Sequence, residues 1–248
     1  MEYSVENIGN NIDVCVSREH TFGTDSFLLS YFATPKKKDI ACDLCSGCGI
    51  IPLLWFRSPE TSPTHAYSID IQSQATEQAT LSAEQSGLSD RFSVLNANLC
   101  ELRTLAHGQV DVVTCNPPYK AGNTGLISQN DSARIARHEI FCTIDDVCAC
   151  AARLLRTGGR LCMTQLPERL VDVVGAMRSH NIEPKRIRFV QKRHDTAPWL
   201  FLIEGKRGAA PFLTIDPPLI LYSDGGEYSS EMKKIYADYG RTERGDRA

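Results

Sequence analysis

The 248-residue sequence has no hydrophobic run approaching the roughly 20 apolar residues that a membrane span requires. Its N-terminus, MEYSVENIGNNIDV, lacks the basic start and apolar block of a secretory signal. It also lacks internal repeats and low-complexity segments, so no repeat architecture is expected. These absences favour a cytoplasmic globular protein with no membrane partner, and 42% hydrophobic and 23% charged residues are typical of that class.

Positive charge is scarce in the first part of the chain and abundant in the second. Residues 1–150 carry 10 Lys and Arg against 18 Asp and Glu, whereas residues 151–248 carry 17 against 12. The net charge of −3 hides this asymmetry. A basic second part suits a polyanionic partner, but it also suits ordinary solvated helix faces, so charge alone leaves both interpretations open.

Cysteine is plentiful, with ten residues, and one cluster raises a specific alternative. The stretch ACDLCSGCGI places Cys42, Cys45 and Cys48 at equal spacing, as if to hold an iron–sulfur cluster. Cys42 should lie inside a strand and Cys48 at a helix start, so their side chains should diverge, and no Cys-Pro follows. Without a secretory signal the thiols are expected to be reduced, and we expect no metal centre.

Strand-like and helix-like segments alternate along the chain, which predicts an α/β, Rossmann-like, mostly parallel sheet with helices on both faces. The helix TIDDVCACAARLLRTGG is expected to end at Gly158-Gly159. No convincing helix separates the last two expected strands, so one of them should be antiparallel. We expect it to be the last strand. Seven strands are expected: KKKDIACDL, HAYSIDI, RFSVLNANL, VDVVTC, RLCMTQL, KRIRFVQK and PWLFLIEGKR.

Glycine or polar residues stand at three successive strand ends, where ligands bind in an open parallel sheet. The first strand ends at Asp43 and leads into a turn with Gly47 and Gly49, whose backbone can approach a ligand closely. The second ends at Asp70, whose carboxylate can accept both hydroxyls of a ribose, and Asn98 after the third suits an adenine edge. The third glycine of a dinucleotide fingerprint is missing, and Asp43 would repel a pyrophosphate but hold an ammonium. The pattern therefore favours S-adenosylmethionine over NAD.

The fourth strand closes with Asn116-Pro117-Pro118-Tyr119. The prolines end the strand and fix its backbone, which aims the Asn116 side-chain oxygen and the Pro117 carbonyl at one point. Two acceptors suit a planar amino group, whose nitrogen lone pair then leaves conjugation and can attack a sulfonium methyl in line. Tyr119 offers a ring on which a planar substrate stacks. A plain proline turn would explain the tetrapeptide alone, but not after three nucleoside-type strand ends.

In this order, DLCSGCG, SIDI, NANL and NPPY resemble a class I S-adenosylmethionine-dependent methyltransferase of the amino-methylating branch. The flanking REHTFGTDSFLLSYFA, ARHE and YSSEMKKIYADYG resemble one bacterial family within it, which makes N6-methyladenosine beside the anticodon of a valine tRNA, at position 37. The resemblance implies a tRNA partner and one monomeric methyltransferase domain over residues 1–248. Residues 1–35 would cover the cofactor, 36–222 would form the catalytic core and 223–248 a C-terminal extension.

The resemblance also implies the residues of the site. The cofactor group comprises Thr24, Asp25, Asp43, Cys45, Gly47, Gly49, Asp70, Ile71, Asn98, Leu99 and Asn116. The catalytic group is Asn116, Pro117, Pro118 and Tyr119, and the RNA group is Tyr119, Lys120, Arg134, Arg137, His138, Lys192 and Arg193. Cys45 departs from the family pattern, in which glycine is commonest there, and it would carry strain if its φ were positive.

Three other functions stay open at the level of sequence. The same acceptors would fit a protein glutamine amide or a ribosomal guanine amino group, although no separate N-terminal recognition domain of the release-factor glutamine enzyme is present. An iron–sulfur protein and a catalytically silent RNA-binding relative are the others. The complete set of acceptor residues argues against a silent relative.

Overall fold

The computed structural model of the protein describes residues 3–117, 142–237 and 239. The strands are β1 Ser4–Asn7, β2 Asp13–Val16, β3 Ile40–Leu44, β4 His65–Asp70, β5 Phe92–Asn96, β6 Val110–Cys115, β7 Leu155–Gln165, β8 Ile182–Gln191, β9 Leu200–Arg207 and β10 Thr214–Ile220. The helices are α1 Thr24–Ala33, α2 Ile50–Trp55, α3 Ser73–Gln85, α4 Ile144–Leu154, α5 Leu170–Ser179 and α6 Ser230–Tyr236, and a short 3₁₀ turn, Pro167–Arg169, precedes α5.

One sheet organises the molecule, and a separate antiparallel hairpin of β1 and β2 stands beside it. The strand order of the sheet is β10–β8–β9–β7–β6–β3–β4–β5. Strand β9 is antiparallel to both of its neighbours, β7 and β8, and the remaining pairs are parallel. The predicted mostly parallel, Rossmann-like sheet is confirmed, as is an antiparallel strand in the segment LFLIEGKR.

Two details of the strand prediction are wrong. Within the described residues the sheet has eight strands rather than seven, and the antiparallel strand β9 is not the last, because β10 follows it and lies parallel to β8. Strand β10 contains Pro217 and Pro218, which remove two backbone donors and suggest a loop in the sequence. An edge strand tolerates them, and the register of β10 shifts between Asp216 and Leu219, across the prolines.

The predicted end of the helix after Thr143 is also wrong. The helix ends at Leu154, and Gly158-Gly159 lies inside β7 instead of closing the helix. Leu155 already pairs with Val110 of β6, so sheet pairing ends the helix four residues before the glycines. A side chain at Gly159 would come within 2.9 Å of the Arg156 carbonyl oxygen, which explains a glycine in a strand there.

Apolar side chains form two clusters, and the cysteines of the ACDLCSGCGI stretch divide between them. Cys48 belongs to the cluster that contains Trp55, whereas Cys42 belongs to the cluster that contains Met163. The two thiols therefore diverge, as expected from a strand residue and a helix-start residue. Within the described residues, no group of three or more His, Cys, Asp or Glu is arranged to hold a metal ion. No helix in that part of the chain has the length and apolarity to cross a membrane.

Two glycines offer a matched test of this packing. A Cβ added to Gly205 in β9 would lie 2.7 Å from a methyl carbon of Ile182 and 3.1 Å from the sulfur of Met177, so Gly205→Ala should lower the free energy of unfolding by about 1–3 kcal/mol. Gly175 is exposed in α5 and has no atom within 4 Å of such a Cβ, so Gly175→Ala should raise it by about 0.5–1 kcal/mol. Urea unfolding of both variants measures the difference, and equal effects would contradict the assigned β8–β9 packing.

Candidate active site

The carboxyl ends of β3, β4 and β6 meet at one edge of the sheet. In register, Asp43 of β3 lies between Ser68 of β4 and Thr114 of β6. On the next pair of strands, Asp70 lies beside Asn96. The structure therefore brings together the strand ends that the sequence identifies, because adjacent parallel strands present the same end to the same side.

Asp43 is the most buried charged side chain of this edge, with no exposed surface. The hydroxyl of Thr114 donates to its Oδ1 at 2.6 Å, while Oδ2 is buried and has no hydrogen-bond partner among the described residues. Burial raises the pKa of Asp43 to about 7, although the hydroxyls of Thr114 and Ser46 act in the opposite direction. A buried acceptor left open in this way favours a ligand that brings a positive charge or a hydrogen-bond donor.

The turn after β3 depends on backbone conformations that most residues avoid. Cys45, Gly47 and Gly49 have φ values of +54°, +55° and +81°. At Gly49 a Cβ would also lie 3.0 Å from that of Ala79 on α3, so only glycine fits both the conformation and the space. Cys45 therefore carries the left-handed strain expected if its φ were positive, at the position where the related family has glycine.

Asp70 holds this turn against the end of β4. Its Oδ2 accepts the Gly47 N–H at 2.9 Å and its Oδ1 accepts the Gln72 N–H at 2.9 Å. Each carboxylate oxygen keeps a second lone pair, so both can still accept a hydroxyl of a ligand. The strained turn and the acidic strand end therefore form one unit.

The strand end of β5 contributes a third polar group. The carbonyl of Asp70 accepts the Ala97 N–H, and Asn98 Oδ1 accepts the Cys100 N–H at 3.0 Å. The remaining polar group of the Asn98 side chain is its amide donor, which suits an acceptor nitrogen of a base. Nearby Ile71 is 42% exposed, whereas Leu99 is buried in the core.

Asn116 lies between two elements that hold both ends of its amide. Its Nδ2 donates to Asp25 Oδ2 of α1 at 3.0 Å and contacts Ser26 Oγ at 3.5 Å. Its Oδ1 accepts the hydroxyl of Thr164 in β7 at 2.5 Å. Asp25 and Asn116, which the sequence assigns to the site on separate grounds, are therefore in direct contact.

Two thiols meet beside the turn. The Sγ atoms of Cys45 and Cys142 are 3.9 Å apart, and Cys142 directly precedes Thr143, which caps α4. The neighbouring Cys115 thiol and burial raise the pKa of Cys45 well above its usual value, so this thiol is protonated at neutral pH.

Other residues predicted for the site have contacts that do not connect them to the sheet edge, or they lie outside the described residues. The hydroxyl of Thr24 is hydrogen-bonded to that of Tyr236 in α6 at 2.7 Å. Lys192 and Arg193 are exposed after β8, three strands from β6, which is about 14 Å at the usual strand spacing. Pro117 is described and buried. Pro118, Tyr119, Lys120, Arg134, Arg137 and His138 lie outside the described residues.

Sequence reasoning missed Thr114, Ser26 and Thr164. Thr114 is a polar residue that follows Val112-Val113 in the strand VDVVTC, one position before its end, which is a usable signal once β3 and β6 are known to pair. Thr164 gives no such signal, because its role depends on β7 lying next to β6. The register that pairs Cys115 with Met163 brings Asn116 to Thr164.

The known sequences that this chain resembles are all methyltransferases in the comparisons given below. A family model described as "Methyltransferase small domain" matches residues 14–169. A protein of Parabacteroides distasonis named tRNA1(Val) (adenine(37)-N6)-methyltransferase is 26% identical over 88% of this chain and 89% of its own length. One of the same name from Flavobacterium psychrophilum is 34% identical over 46% of this chain and 49% of its own length. A ribosomal protein uL3 glutamine methyltransferase from Bordetella pertussis is 32% identical, but over only 38% of this chain and 30% of its length.

Comparison with solved structures supports the fold. A predicted O-methyltransferase from Agrobacterium tumefaciens superposes with a TM-score of 0.67, covers 86% of this chain and 95% of its own, and is 18% identical. The family model spans well over half of the sequence and includes the strand ends at Asp43, Asp70 and Asn116. The chain therefore belongs to the methyltransferase small domain family.

Proposed function

We propose that this methyltransferase uses S-adenosylmethionine to methylate the N6 amino group of an adenine in tRNA, at position 37 of valine tRNA. The observation that carries the proposal is the juxtaposition of a buried, half-unpaired Asp43 carboxylate with a doubly held Asn116 amide at one sheet edge. The first suits the charged end of the cofactor and the second suits an amino-group substrate. We further propose a monomeric cytoplasmic enzyme in which residues 1–35 cover the cofactor.

The polar groups at this edge of the sheet fit the cofactor. The unpaired Asp43 Oδ2 suits the ammonium of the methionine portion, because a cation next to it would satisfy a buried acceptor. The Asp70 carboxylate keeps lone pairs for two ribose hydroxyls, and the Asn98 amide suits adenine. When bound, S-adenosylmethionine supplies an electrophilic sulfonium methyl group. The proposed approach of Thr24 and Asp25 to its methionine end rests on the family resemblance.

The chain's own contribution to the chemistry would be to hold the nucleophile. An amide oxygen can accept more than one hydrogen bond, and in the proposed complex Asn116 Oδ1 would accept a hydrogen of the substrate amino group in addition to the Thr164 hydroxyl. The Pro117 carbonyl, fixed by its ring, would accept the other. Both bonds draw the nitrogen lone pair out of conjugation and aim it for in-line attack. No strong base is required, since the proton can leave after transfer.

The choice of tRNA rests on the relatives. Two relatives that match 88% and 46% of this chain are both named for adenine 37 of tRNA1(Val). The exposed Lys192 and Arg193 lie on the same side of the sheet as the carboxyl edge and would meet phosphates, as would the predicted Lys120, Arg134, Arg137 and His138. An anticodon-loop base is unpaired, so it can enter such a site without duplex opening.

One competing substrate has an observation in its favour. The glutamine methyltransferase is 32% identical over 38% of this chain, and a glutamine amide also ends in a planar amino group. That match spans only 30% of the relative, so it speaks for shared chemistry more than for a shared substrate.

Replacing Asn116, the proposed acceptor, should impair methyl transfer without impairing cofactor binding. Asn116→Ala removes the oxygen that holds the amino group, so methyl transfer should fall by at least about 100-fold while cofactor affinity stays within about threefold. Radiolabel transfer and calorimetric cofactor titration give the two quantities. Gly175→Ala, at an exposed position of α5, is the control, and full transfer activity in Asn116→Ala would refute the acceptor role.

The substrate can be identified without prior choice. Total RNA and total protein from a strain lacking the gene would be incubated with the enzyme and methyl-labelled cofactor, and the products digested and mapped. Label is expected in N6-methyladenosine of valine tRNA. Label in guanosine would exclude the adenine assignment, and label in glutamine would establish the competing function.

Cofactor affinity should depend on pH through Asp43. The folded-state pKa of about 7, above the ordinary 3.8, means that the free enzyme carries a protonated Asp43 at pH 5. An ammonium beside it favours the carboxylate, so binding releases a proton below pH 7 and the affinity should rise towards roughly tenfold per pH unit between pH 5 and 7. Calorimetry in buffers of different ionisation enthalpy counts the proton. Asp43→Asn should bind more weakly and lose this dependence, whereas a pH-independent wild type would exclude Asp43 as the ammonium site.

A further inference from the structure

The amide of Asn116 can face the substrate in two ways, and only one presents an acceptor. An oxygen facing the substrate accepts from an amino group, whereas a nitrogen there would donate to a carbonyl. Shape does not distinguish the two, because the amide oxygen and nitrogen have nearly the same size. Whatever fixes the orientation therefore decides which bases the site accepts.

Asp25 fixes that orientation from one side. A carboxylate can only accept hydrogen bonds, so the group 3.0 Å from Asp25 Oδ2 must be the amide nitrogen. The reversed amide would place an oxygen against a carboxylate oxygen. The charge on the acceptor also makes the bond stronger than one between neutral groups.

Thr164 completes the arrangement from the other side. Its hydroxyl lies 2.5 Å from Asn116 Oδ1, and Thr164 itself has no exposed surface. A buried β-branched side chain in a strand flanked by β6 and β9 has little rotational freedom. Its hydroxyl therefore restrains the position of the amide oxygen.

Asp25 is itself held in place by local structure. Its Oδ1 accepts the Ser26 N–H at 3.0 Å in the first turn of α1, where a negative charge is stabilised by the helix dipole. A Cβ on Gly23 would lie 2.8 Å from that Oδ1, so the missing side chain makes room for the carboxylate. Phe27 packs its ring 4.8 Å from that of Tyr236, which fixes α1 against α6.

We propose that Asp25 and Thr164 are positioning residues that orient the Asn116 amide, and that this orientation makes the enzyme select an amino group over a carbonyl on the target base. The proposal rests on the proposed function and assigns a role to two residues outside the NPPY motif. Asp25 determines which end of the Asn116 amide carries the nitrogen, and Thr164 restrains the position of the amide oxygen. Neither is required to touch the substrate.

The first test replaces Thr164. Thr164→Val keeps the shape and removes the hydroxyl, so kcat on a valine tRNA transcript should fall about 10- to 100-fold, with KM and cofactor affinity changed by less than about threefold. Thr164→Ser keeps the hydroxyl and should recover most of kcat. Full activity of the Val variant, or equal losses in both variants with lowered melting temperatures, would overturn the proposal.

The second test perturbs Asp25 in two ways, by replacing it and by replacing the neighbouring Gly23. Asp25→Asn removes the charge, and Gly23→Ala crowds the carboxylate where φ is −126° and tolerates alanine. Each should lower kcat by about tenfold or more, while Gly175→Ala, the exposed glycine control, should not. Combining Asp25→Asn with Thr164→Val should cost less than the product of the single effects, because both act through one amide. Strict multiplicativity would mean that they act separately.

The specificity claim has its own readout. Wild-type enzyme should bind a transcript with adenine at the target position more tightly than one with hypoxanthine, which carries a carbonyl there. Asp25→Asn should shrink that ratio by about tenfold, because its amide no longer dictates the orientation of Asn116. An unchanged ratio would contradict the orienting role.

Failure of the proposed function can be told apart from failure of this proposal. If the wild type methylates another substrate, the side-chain amide resonances of Asn116, identified by their loss in Asn116→Ala, still report the contacts in nuclear magnetic resonance spectra. They should shift in both Asp25→Asn and Thr164→Val and remain in place in Gly175→Ala. No shift in either variant would exclude the contacts whatever the substrate.

Discussion

The burial of one carboxylate sets the conditions for the rest of the site. Asp43 has no exposed surface, and within the described residues one of its oxygens is paired only with Thr114 and the other with nothing. Such a group is tolerated in a protein interior only if it is neutral or if a cation reaches it. In the turn that follows β3, a side chain added at Gly47 would meet no atom within 4 Å, and Asp70 holds that turn in place. The proposed cofactor binding and the pH dependence expected of it both depend on this buried carboxyl group.

The parts of the fold and the site that could be predicted are those with local signals. The ends of apolar strands mark the residues of the edge, and β-branched runs mark the strands, so Asp43, Asp70 and Asn116 are recognisable without coordinates. The divergence of Cys42 and Cys48 follows from their places in a strand and at a helix start. The left-handed conformation of Cys45 is an expectation that the sequence supports only through the resemblance, because the related family most often has glycine at that position.

The parts that could not be predicted depend on which elements become neighbours. Pro217 and Pro218 disguise β10, whose edge position alone makes them acceptable. The helix ends before Leu155 because Leu155 pairs with Val110 of β6. This sheet pairing, and not the glycines at 158 and 159, determines where the helix ends. Thr164 becomes a partner of Asn116 only when β7 is placed against β6. Each of these facts is tertiary, so local propensity carries no trace of it.

The contacts of Asn116 also impose an order of events on the newly made chain. Asp25 precedes Asn116 by 91 residues, and Thr164 follows it by a further 48. At synthesis rates of roughly 5–20 residues per second, α1 leaves the ribosome on the order of ten seconds before β7 exists to complete the amide's surroundings. A nascent chain that ends before β7 lacks the contact that the proposed orientation of Asn116 requires. Under the proposed mechanism, the acceptor is therefore oriented only after most of the sheet has been translated.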